Sequence, residues 1–432
     1  MSEVRLLTCD PAHFHAALVQ KEMAPGVSPL VHVYAPLGPD LLAHLARIAA
    51  FNSRPENPTG WEVEVHASPD FLQRMLDEKP GNVVVLSGRN RTKIDAILAS
   101  LEAGLHVLAD KPWVIASEDL WKLRTALDTA KARGLVALDI MTERHEIASR
   151  LQRELMRDPV VFGRLDAGTP ERPGVYMESV HHLCKTVAGA PLRRPAWFFD
   201  VAQQGEGLSD VGTHLVDLVM WALFPEQTVS IDEIELLRAR RVPTALSRAD
   251  FEKATGEPDF PAYLRPNVHS SQLLYHANTT VLYRVRGVHA WLNVAWAFEA
   301  PAGQGDRHLA RFAGTRSSVE VRQGEPEGFV PEVYVVPRGG ADVGEVEAAL
   351  AARLAALQPA YPEVGMERRG ASFRLAIPRG LRTTHEAHFG EVMGRFLGYL
   401  GNPESLPAWE AANMLAKYHV TTHGVRLARA AG

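Results

Sequence analysis

From Val4 to about Asp139, short β-rich runs alternate with longer stretches whose apolar residues recur at helical spacing. The pattern predicts strands over Val4–Cys9, Leu30–Tyr34, Val63–His66, Val83–Leu86, His106–Ala109 and Val136–Ile140. Between them it predicts helices over His13–Met23, Pro39–Phe51, Pro69–Asp77, Lys93–Ala103 and Glu118–Arg133. Runs such as VVVL are apolar on both faces, which fits a parallel sheet covered by helices on each side. The expectation is a doubly wound α/β domain over residues 1–140.

Ligands of such sheets lie beyond the carboxyl ends of the strands, so three turns become candidates: Asp10–Phe14, Ser87–Arg91 and Asp110–Trp113. The first reads CDPAHFHAAL and has no glycine, where G-x-G-x-x-G would let the backbone approach a pyrophosphate. The second strand ends at Ala35, where an acidic group would grip a ribose. A helix N-terminus can still receive phosphate through its free N–H groups.

The pattern changes after Met141. MTERHEIASRLQREL reads as a helix leaving the first domain, with Glu143, Arg144 and His145 where it emerges. A Gly- and Pro-containing stretch, Val160–Phe199, then carries ESVHHLCK and RRPAWFFD. Adjacent His181 and His182 point opposite ways on a strand, so they cannot easily share one metal, and no metal site is expected. GLSDVGTHLVDLVMW, Gly207–Trp221, would form a helix apolar almost all round except for a stripe of Asp210, His214 and Asp217, with Thr213 beside it. Ionisable groups on a buried helix need partners or a purpose. Asp210 either caps the helix with His214 packed in the core, or both do chemistry; Asp217 is expected to be structural.

Short alternating runs follow, from IDEIELL to SSVEVRQ, predicting an antiparallel sheet with one buried face. A helix over Val343–Leu357, a strand over Met366–Ile377 and two closing helices, Thr384–Leu400 and Trp409–Leu427, complete a second α/β domain over 141–432.

Composition adds exclusions. The 432 residues are 46% hydrophobic and 22% charged, as in soluble globular proteins of two or three domains. With 51 acidic and 46 basic residues the net charge is −5, and no basic stripe suggests nucleic acid. The densest basic run, Arg238–Arg241, reads as a solvated turn. No apolar run reaches the ~18 residues of a membrane helix, no signal-peptide pattern opens the chain, and a cytoplasmic location is expected. Cys9 and Cys184 lie in apolar surroundings without C-x-x-C and read as buried thiols.

LEAGLHVLADKPWVI (Leu101–Ile115) resembles the stretch of the Gfo/Idh/MocA oxidoreductases in which strand five ends in an acidic residue, a lysine and a proline. GEGLSDVGTHLVDLVMW resembles the same family's D-x-G-x-H helix, and the two occur in the family's order. The resemblance covers roughly Val4–Gln323, and DIMTERHE, ESVHHLCK and RRPAWFFD resemble a subgroup with an unusual first turn and an extra C-terminal segment. It implies a Rossmann-type domain binding NAD or NADP, with NAD placed ahead of NADP. It also implies a C-terminal domain with a large, mostly antiparallel open sheet that forms homodimers or homotetramers, and a carbohydrate or polyol substrate.

On that resemblance Lys111, Asp210 and His214 are the catalytic set. His214 titrates near ~6.5 and can exchange the hydroxyl proton, Asp210 can accept a hydrogen bond from it or from substrate, and Lys111 can stabilise alkoxide charge. Cofactor candidates are Asp10, Ala12, His13, Phe14, Ser87, Gly88, Asn90, Asp110, Lys111 and Pro112. His13 either faces phosphate or merely opens a helix. Substrate candidates are Arg144, His181, His182, Lys185 and Trp197, since polyol sites pair hydrogen-bonding groups with an aromatic face. Three functions remain: an NAD(P)-dependent alcohol dehydrogenase, an NAD-retaining glycosidase or lyase working through a transient 3-keto sugar, and a sensor without catalysis.

Overall fold

The predicted alternation is realised in the computed structural model, which describes residues 3–187 and 190–431. The elements run β1 (Leu6–Cys9), α1 (His15–Val19), β2 (Leu30–Ala35), α2 (Pro39–Ser53), β3 (Glu62–Ala67), α3 (Phe71–Glu78), β4 (Val83–Leu86), α4 (Lys93–Glu102), β5 (His106–Asp110), α5 (Leu120–Arg133) and β6 (Ala137–Ile140). The six strands pair in parallel in the order β3-β2-β1-β4-β5-β6. The order reverses between β1 and β4, where a doubly wound sheet opens its ligand crevice. The first helix is shorter than the predicted His13–Met23. It closes at Val19, where the Gln20 and Lys21 N–H groups donate to the carbonyls three residues back, Ala17 at 2.9 Å and Leu18 at 3.2 Å.

Each face of this sheet buries its own apolar layer. Val31, Val33, Val85 and Leu108 pack on one side with Phe389, Val392 and Phe396. Leu7, Val84, Leu86 and Val107 pack on the other with Ile97, Leu101, Trp113 and Leu123. The helix His385–Gly401 therefore returns to the first unit, which comprises the chain up to Thr142, Ala202–Gln204 and Thr384–Tyr418. The continuous division at residue 140 expected from sequence is interrupted by that return.

The second unit comprises Glu143–Val201, Gly205–Thr383 and the residues from His419 onward. The helix expected from Met141 is split: a 3-10 turn, Thr142–His145, precedes α6 (Ile147–Met156). Glu146 breaks it by turning extended and accepting from the Ala148 N–H at 3.4 Å. Then come β7 (Val175–Cys184), the short pair β8 (Thr186–Val187) and β9 (Ala190–Pro191), α7 (Gly207–Leu223), β10 (Ile234–Leu246), α8 (Arg248–Thr255), β11 (Val268–His269), β12 (Gln272–Val285), β13 (Val288–Glu299), β14 (Arg307–Ala313), β15 (Ser317–Gln323), β16 (Glu332–Pro337), α9 (Val343–Leu357), β17 (Gly365–Arg369) and β18 (Ser372–Ala376). The chain closes with α10 (His385–Gly401) and α11 (Ala408–Ala430).

Among the described residues a ten-stranded sheet runs β10-β12-β13-β7-β14-β15-β16-β18-β17, with β11 beside β12. Its pairs are antiparallel except β13 with β7. Two local expectations are corrected here. Arg238–Arg241 lie within β10, not in a turn, because Ala239 fills the buried position while Arg238 and Arg240 point outward. The strand expected over Met366–Ile377 is a hairpin of β17 and β18, turned at Gly370 with φ +62°.

Helix α7 packs on β12 and β13. Gly207 opens it, and a Cβ there would run into the carbonyl oxygen of Ala277 on β12, so only glycine lets the helix start flush on the sheet. Glu206 is the N-cap residue, and its buried carboxylate accepts from Arg241 at 2.7 Å and Arg429 at 2.8 Å. Asp210 therefore lies inside the first turn and does not cap it. Asp217 meets the buried Arg144 guanidinium in a two-pronged contact, Nε to Oδ2 and Nη2 to Oδ1 both at 2.6 Å.

Removing one partner of a buried ion pair leaves the other charge uncompensated. Asp217→Ala is expected to lower the unfolding free energy by about 3–5 kcal/mol, measured by urea denaturation.

A second prediction concerns His44 on α2, which is 1% exposed with both ring nitrogens lacking a hydrogen-bond partner. Burial, with Arg47 adding to it, pushes its imidazole down to about 4. The unfolded chain binds that proton from about 6.5 downward, so the stabilisation is full above 6.5 and is lost as pH falls through about 4. His44→Leu should remove about 3 kcal/mol of the stability change between pH 7 and 4, read from denaturation curves across that range.

Candidate functional site

In the first unit, the carboxyl ends of β1, β4 and β5 are tied together by one carboxylate. Asp110, the last residue of β5, is 3% exposed. Its Oδ2 lies 3.5 Å from His13 Nδ1 and 3.3 Å from His15 Nδ1, and accepts from Ser87 Oγ at 2.9 Å. Its Oδ1 accepts from the buried Lys93 ammonium, which also reaches Asn90 Oδ1 at 2.7 Å. Burial pushes the Asp110 carboxyl upward, but Lys93 and then the two histidines outweigh it and hold it well below the usual carboxylate range. Burial and neighbouring His13 hold His15 well below its ordinary value against the pull of Asp110, so its ring is neutral at pH 7.

The first turn compensates for its missing glycines. Asp10 follows β1 with φ +45°, a left-handed conformation that glycine would adopt at little cost. Across from it, a Cβ on Gly88 would collide with the Asp10 carbonyl and carboxylate, so the close approach is made by the glycine of the fourth turn. His13 donates its N–H to the Ser87 carbonyl at 2.8 Å, and Ala12 donates to the Asp10 carbonyl at 2.7 Å. Two backbone donors of this turn are thus engaged within the protein. Phe14 precedes α1 without a side-chain cap, and α1 is only five residues long.

Sequence reasoning missed Asp40 and Arg89. Asp40 stands at the second position of α2, five residues beyond Ala35, and accepts from Arg89 Nη2 at 2.9 Å; Arg89 Nη1 is also 3.8 Å from Asp10. The signal was available in PLGPD, where a proline-led helix start puts an acid in the first turn. Asn90 is drawn to Gln204, donating to its backbone oxygen at 2.7 Å. Lys111 follows Asp110 with a 9% exposed side chain, and a cis peptide joins it to Pro112.

In the second unit, α7 presents Asp210, 8% exposed, and His214, half-buried. Burial and then the Asp210 charge push the Tyr275 hydroxyl well above its ordinary value. Arg194, also under the influence of Asp210, stacks over Phe198 at 4.6 Å and Trp296 at 4.8 Å, and donates to the backbone oxygens of Leu183 at 2.9 Å and His182 at 3.2 Å. His181 lies against Trp296, ring centroids 5.0 Å apart.

His181, His182 and Lys185 converge on Asp306, a residue the sequence reading did not single out. Asp306 Oδ1 accepts from the His182 backbone N–H at 3.1 Å and lies 2.9 Å from its Nδ1. Oδ2 accepts from Lys185 at 2.6 Å and lies 3.3 Å from His181 Nδ1. Opposed directions along a strand did not keep the two histidines apart, because Asp306 immediately precedes β14 beside the C-terminal part of β7: the next residue, Arg307, is the register partner of Val180. Burial raises the Asp306 carboxyl, yet His181 and Lys185 outweigh it and hold it well below the usual range. A cavity of about 490 Å³ opens here, lined by His182, Lys185, Gln304, Asp306, Gln323 and Phe329. Trp197 is buried in the turn Ala196–Phe199, and Arg144 is engaged by Asp217. Both cysteines are buried free thiols, and no helix among the described residues is long and apolar enough to cross a membrane.

The architecture has solved relatives. A crystal structure from Parabacteroides merdae, described as that of "a putative oxidoreductase", is 43% identical, with a TM-score of 0.97 over 100% of this chain and 98% of that one. GenD2 from gentamicin A biosynthesis, solved in complex with NAD, shares the fold at 16% identity and a TM-score of 0.59, over 100% of this chain and 96% of its own. The D-glucoside 3-dehydrogenase of Escherichia coli K12 is 31% identical over 161 residues, which are 36% of this chain and 40% of that protein. The match thus spans less than half the length of that curated relative. Residues 151–429 match the family described as "Putative oxidoreductase C terminal domain". The chain belongs to that family, and carries a six-stranded parallel sheet ahead of the matched residues.

Proposed function

We propose that the protein is an NAD(P)-dependent oxidoreductase acting on a secondary alcohol of a sugar, glycoside or polyol. The observation that carries this reading is the Asp110 knot, which fixes the three carboxyl-end turns of a β3-β2-β1-β4-β5-β6 sheet and sets Lys111 at the end of β5. The family match and the glucoside dehydrogenase likeness support it.

The nicotinamide cofactor, when bound, supplies the hydride acceptor or donor. The residues present suit it in part: Asp40 and Arg89 offer an acid and a guanidinium near the end of β2, where a ribose hydroxyl is recognised, while the glycine cradle for pyrophosphate is replaced by a turn with engaged backbone donors. Arg89 is the side chain we assign to phosphate in place of that cradle, and Asp40 is assigned to the ribose, which favours NAD over NADP.

Lys111 donates to the reacting oxygen and stabilises alkoxide charge, in a buried position where such a charge contact is stronger than in water. His214 takes or returns the hydroxyl proton, and Asp210, one helical turn earlier, accepts from the imidazole or a substrate hydroxyl. The cluster around Asp306 and the Arg194–Trp296 stack offer hydrogen-bonding groups beside an aromatic face, which suits a sugar ring.

Three measurements test the reading. Purified protein given NAD and a panel of glucosides and polyols should form NADH with at least one of them, whereas aglycone release without net NADH would move the assignment to the redox-neutral cleavage. His214→Ala should lower turnover by about 10²–10⁴-fold with unchanged circular dichroism; unaltered turnover would remove His214 from the chemistry. Asp40→Ala should raise the KM for NAD more than that for NADP, and an equal effect on both would dismiss Asp40 as the ribose contact.

A further inference from the structure

The sheet edge far from the β1–β4 crossover carries a second convergence of ligand atoms that the proposed chemistry does not use. β3 is the edge strand, and its register against β2 sets His32 opposite Glu64 and Tyr34 opposite His66. All four side chains therefore share one face of the sheet. His32 Nδ1 and His66 Nε2 are 3.2 Å apart, Glu64 Oε2 is 3.6 Å from the first and Glu64 Oε1 is 3.5 Å from the second. Both imidazoles are buried, at 9% and 7% exposed, while the Glu64 side chain is open to solvent.

Hydrogen bonding accounts for only part of this arrangement. One proton shared by the two rings satisfies the 3.2 Å contact, but both carboxylate approaches are too long for hydrogen bonds. The 3.2 Å between the two ring nitrogens is close to the ~3.3 Å edge of a tetrahedron around an ion with bonds of about 2.0–2.1 Å, and a single ligand atom from each of the three residues lies within 4.8 Å of the others. The surroundings are also those of a metal ligand set. His66 turns its other nitrogen, Nδ1, toward Glu78 Oε2 at 3.5 Å, and Tyr34 donates to that same oxygen at 2.6 Å while its ring stacks on His66 at 4.2 Å and 4°. Metal-ligating histidines commonly carry a carboxylate behind the ring, and Glu78, already held by Tyr34, stands in that place behind His66.

We propose that His32, Glu64 and His66 form a zinc-class divalent metal site, with the fourth position open to water beside exposed Glu64. Two imidazoles and one carboxylate select a borderline transition ion over calcium or magnesium, which take oxygen ligands. The ion joins β3 to β2 through side chains, bracing an edge strand held on one side only by β2. The site is independent of the alcohol chemistry, so either reading can fail without the other.

The test is Zn²⁺ binding by full-length protein stripped with chelator, followed by calorimetry, metal analysis after dialysis, and the visible absorption of the Co²⁺ form. One ion per chain is expected, with the intense visible bands of tetrahedral cobalt. Glu64→Gln, on an exposed side chain that folding does not need, and His66→Ala should each weaken Zn²⁺ affinity at least tenfold, and Tyr34→Phe about tenfold through the Glu78 contact. Zn²⁺ should raise the melting temperature of the parent protein and not that of Glu64→Gln. Among the described residues the other place where three such ligand atoms gather is His13, His15 and Asp110, where Lys93 already supplies the positive charge. Binding that is absent, that survives both Glu64→Gln and His66→Ala, or that is lost in His15→Gln would overturn the proposal.

Discussion

The buried carboxylate of Asp110 is the constraint on which the first unit's ligand-facing edge depends. An isolated charge at that depth would be prohibitively costly, so it persists because Lys93, Ser87, His13 and His15 surround it. Those partners come from two connections, β1 to α1 and β4 to α4, and the carboxylate itself ends β5. Satisfying one anion therefore fixes the relative positions of the ends of β1, β4 and β5, and the residue that follows, Lys111, inherits a defined position from the knot. Preorganisation of this kind keeps reorganisation costs out of the chemical step.

The second unit solves a similar problem at the start of α7. There the buried anion is Glu206, clasped by Arg241 from β10 and by Arg429 from the last turns of α11. Gly207 brings the helix against β12, and Asp217 with Arg144 secures it two turns beyond Asp210. The deep end of the polar stripe of α7 is thus an ion pair, and Asp210 and His214 are the members assigned to chemistry in the proposed reaction. Asp210 acts electrostatically on Tyr275 and Arg194, which stand behind the aromatic wall of Phe198 and Trp296.

Much of this was legible in the chain. Doubly apolar runs such as Val83–Leu86 announce a covered parallel sheet, and each predicted strand of the first domain is present within a residue or two. The polar stripe of α7 and the D-K-P turn were visible because local periodicity carries them. What escaped depends on partners distant in sequence. Nothing local shows that Phe389 and Phe396 complete the core of Val31 and Val33, or that Asp306 will stand beside the end of β7. The basic run at Arg238–Arg241 read as a turn because its neighbour Glu206, which takes one of the charges, lies on another element. His32 on β2 and His66 on β3 were not singled out, because only the parallel pairing of the two strands brings their rings together.

The missing glycines of the first turn have one more consequence. The contact that a glycine there would allow is made from the opposite side by Gly88, which lies against both the backbone and the side chain of Asp10. The first and fourth turns are then a single steric unit whose tolerance is smaller than a methyl group. Any displacement of one is transmitted to the other, to the His13 N–H on the Ser87 carbonyl, and so to the packing of the crevice wall.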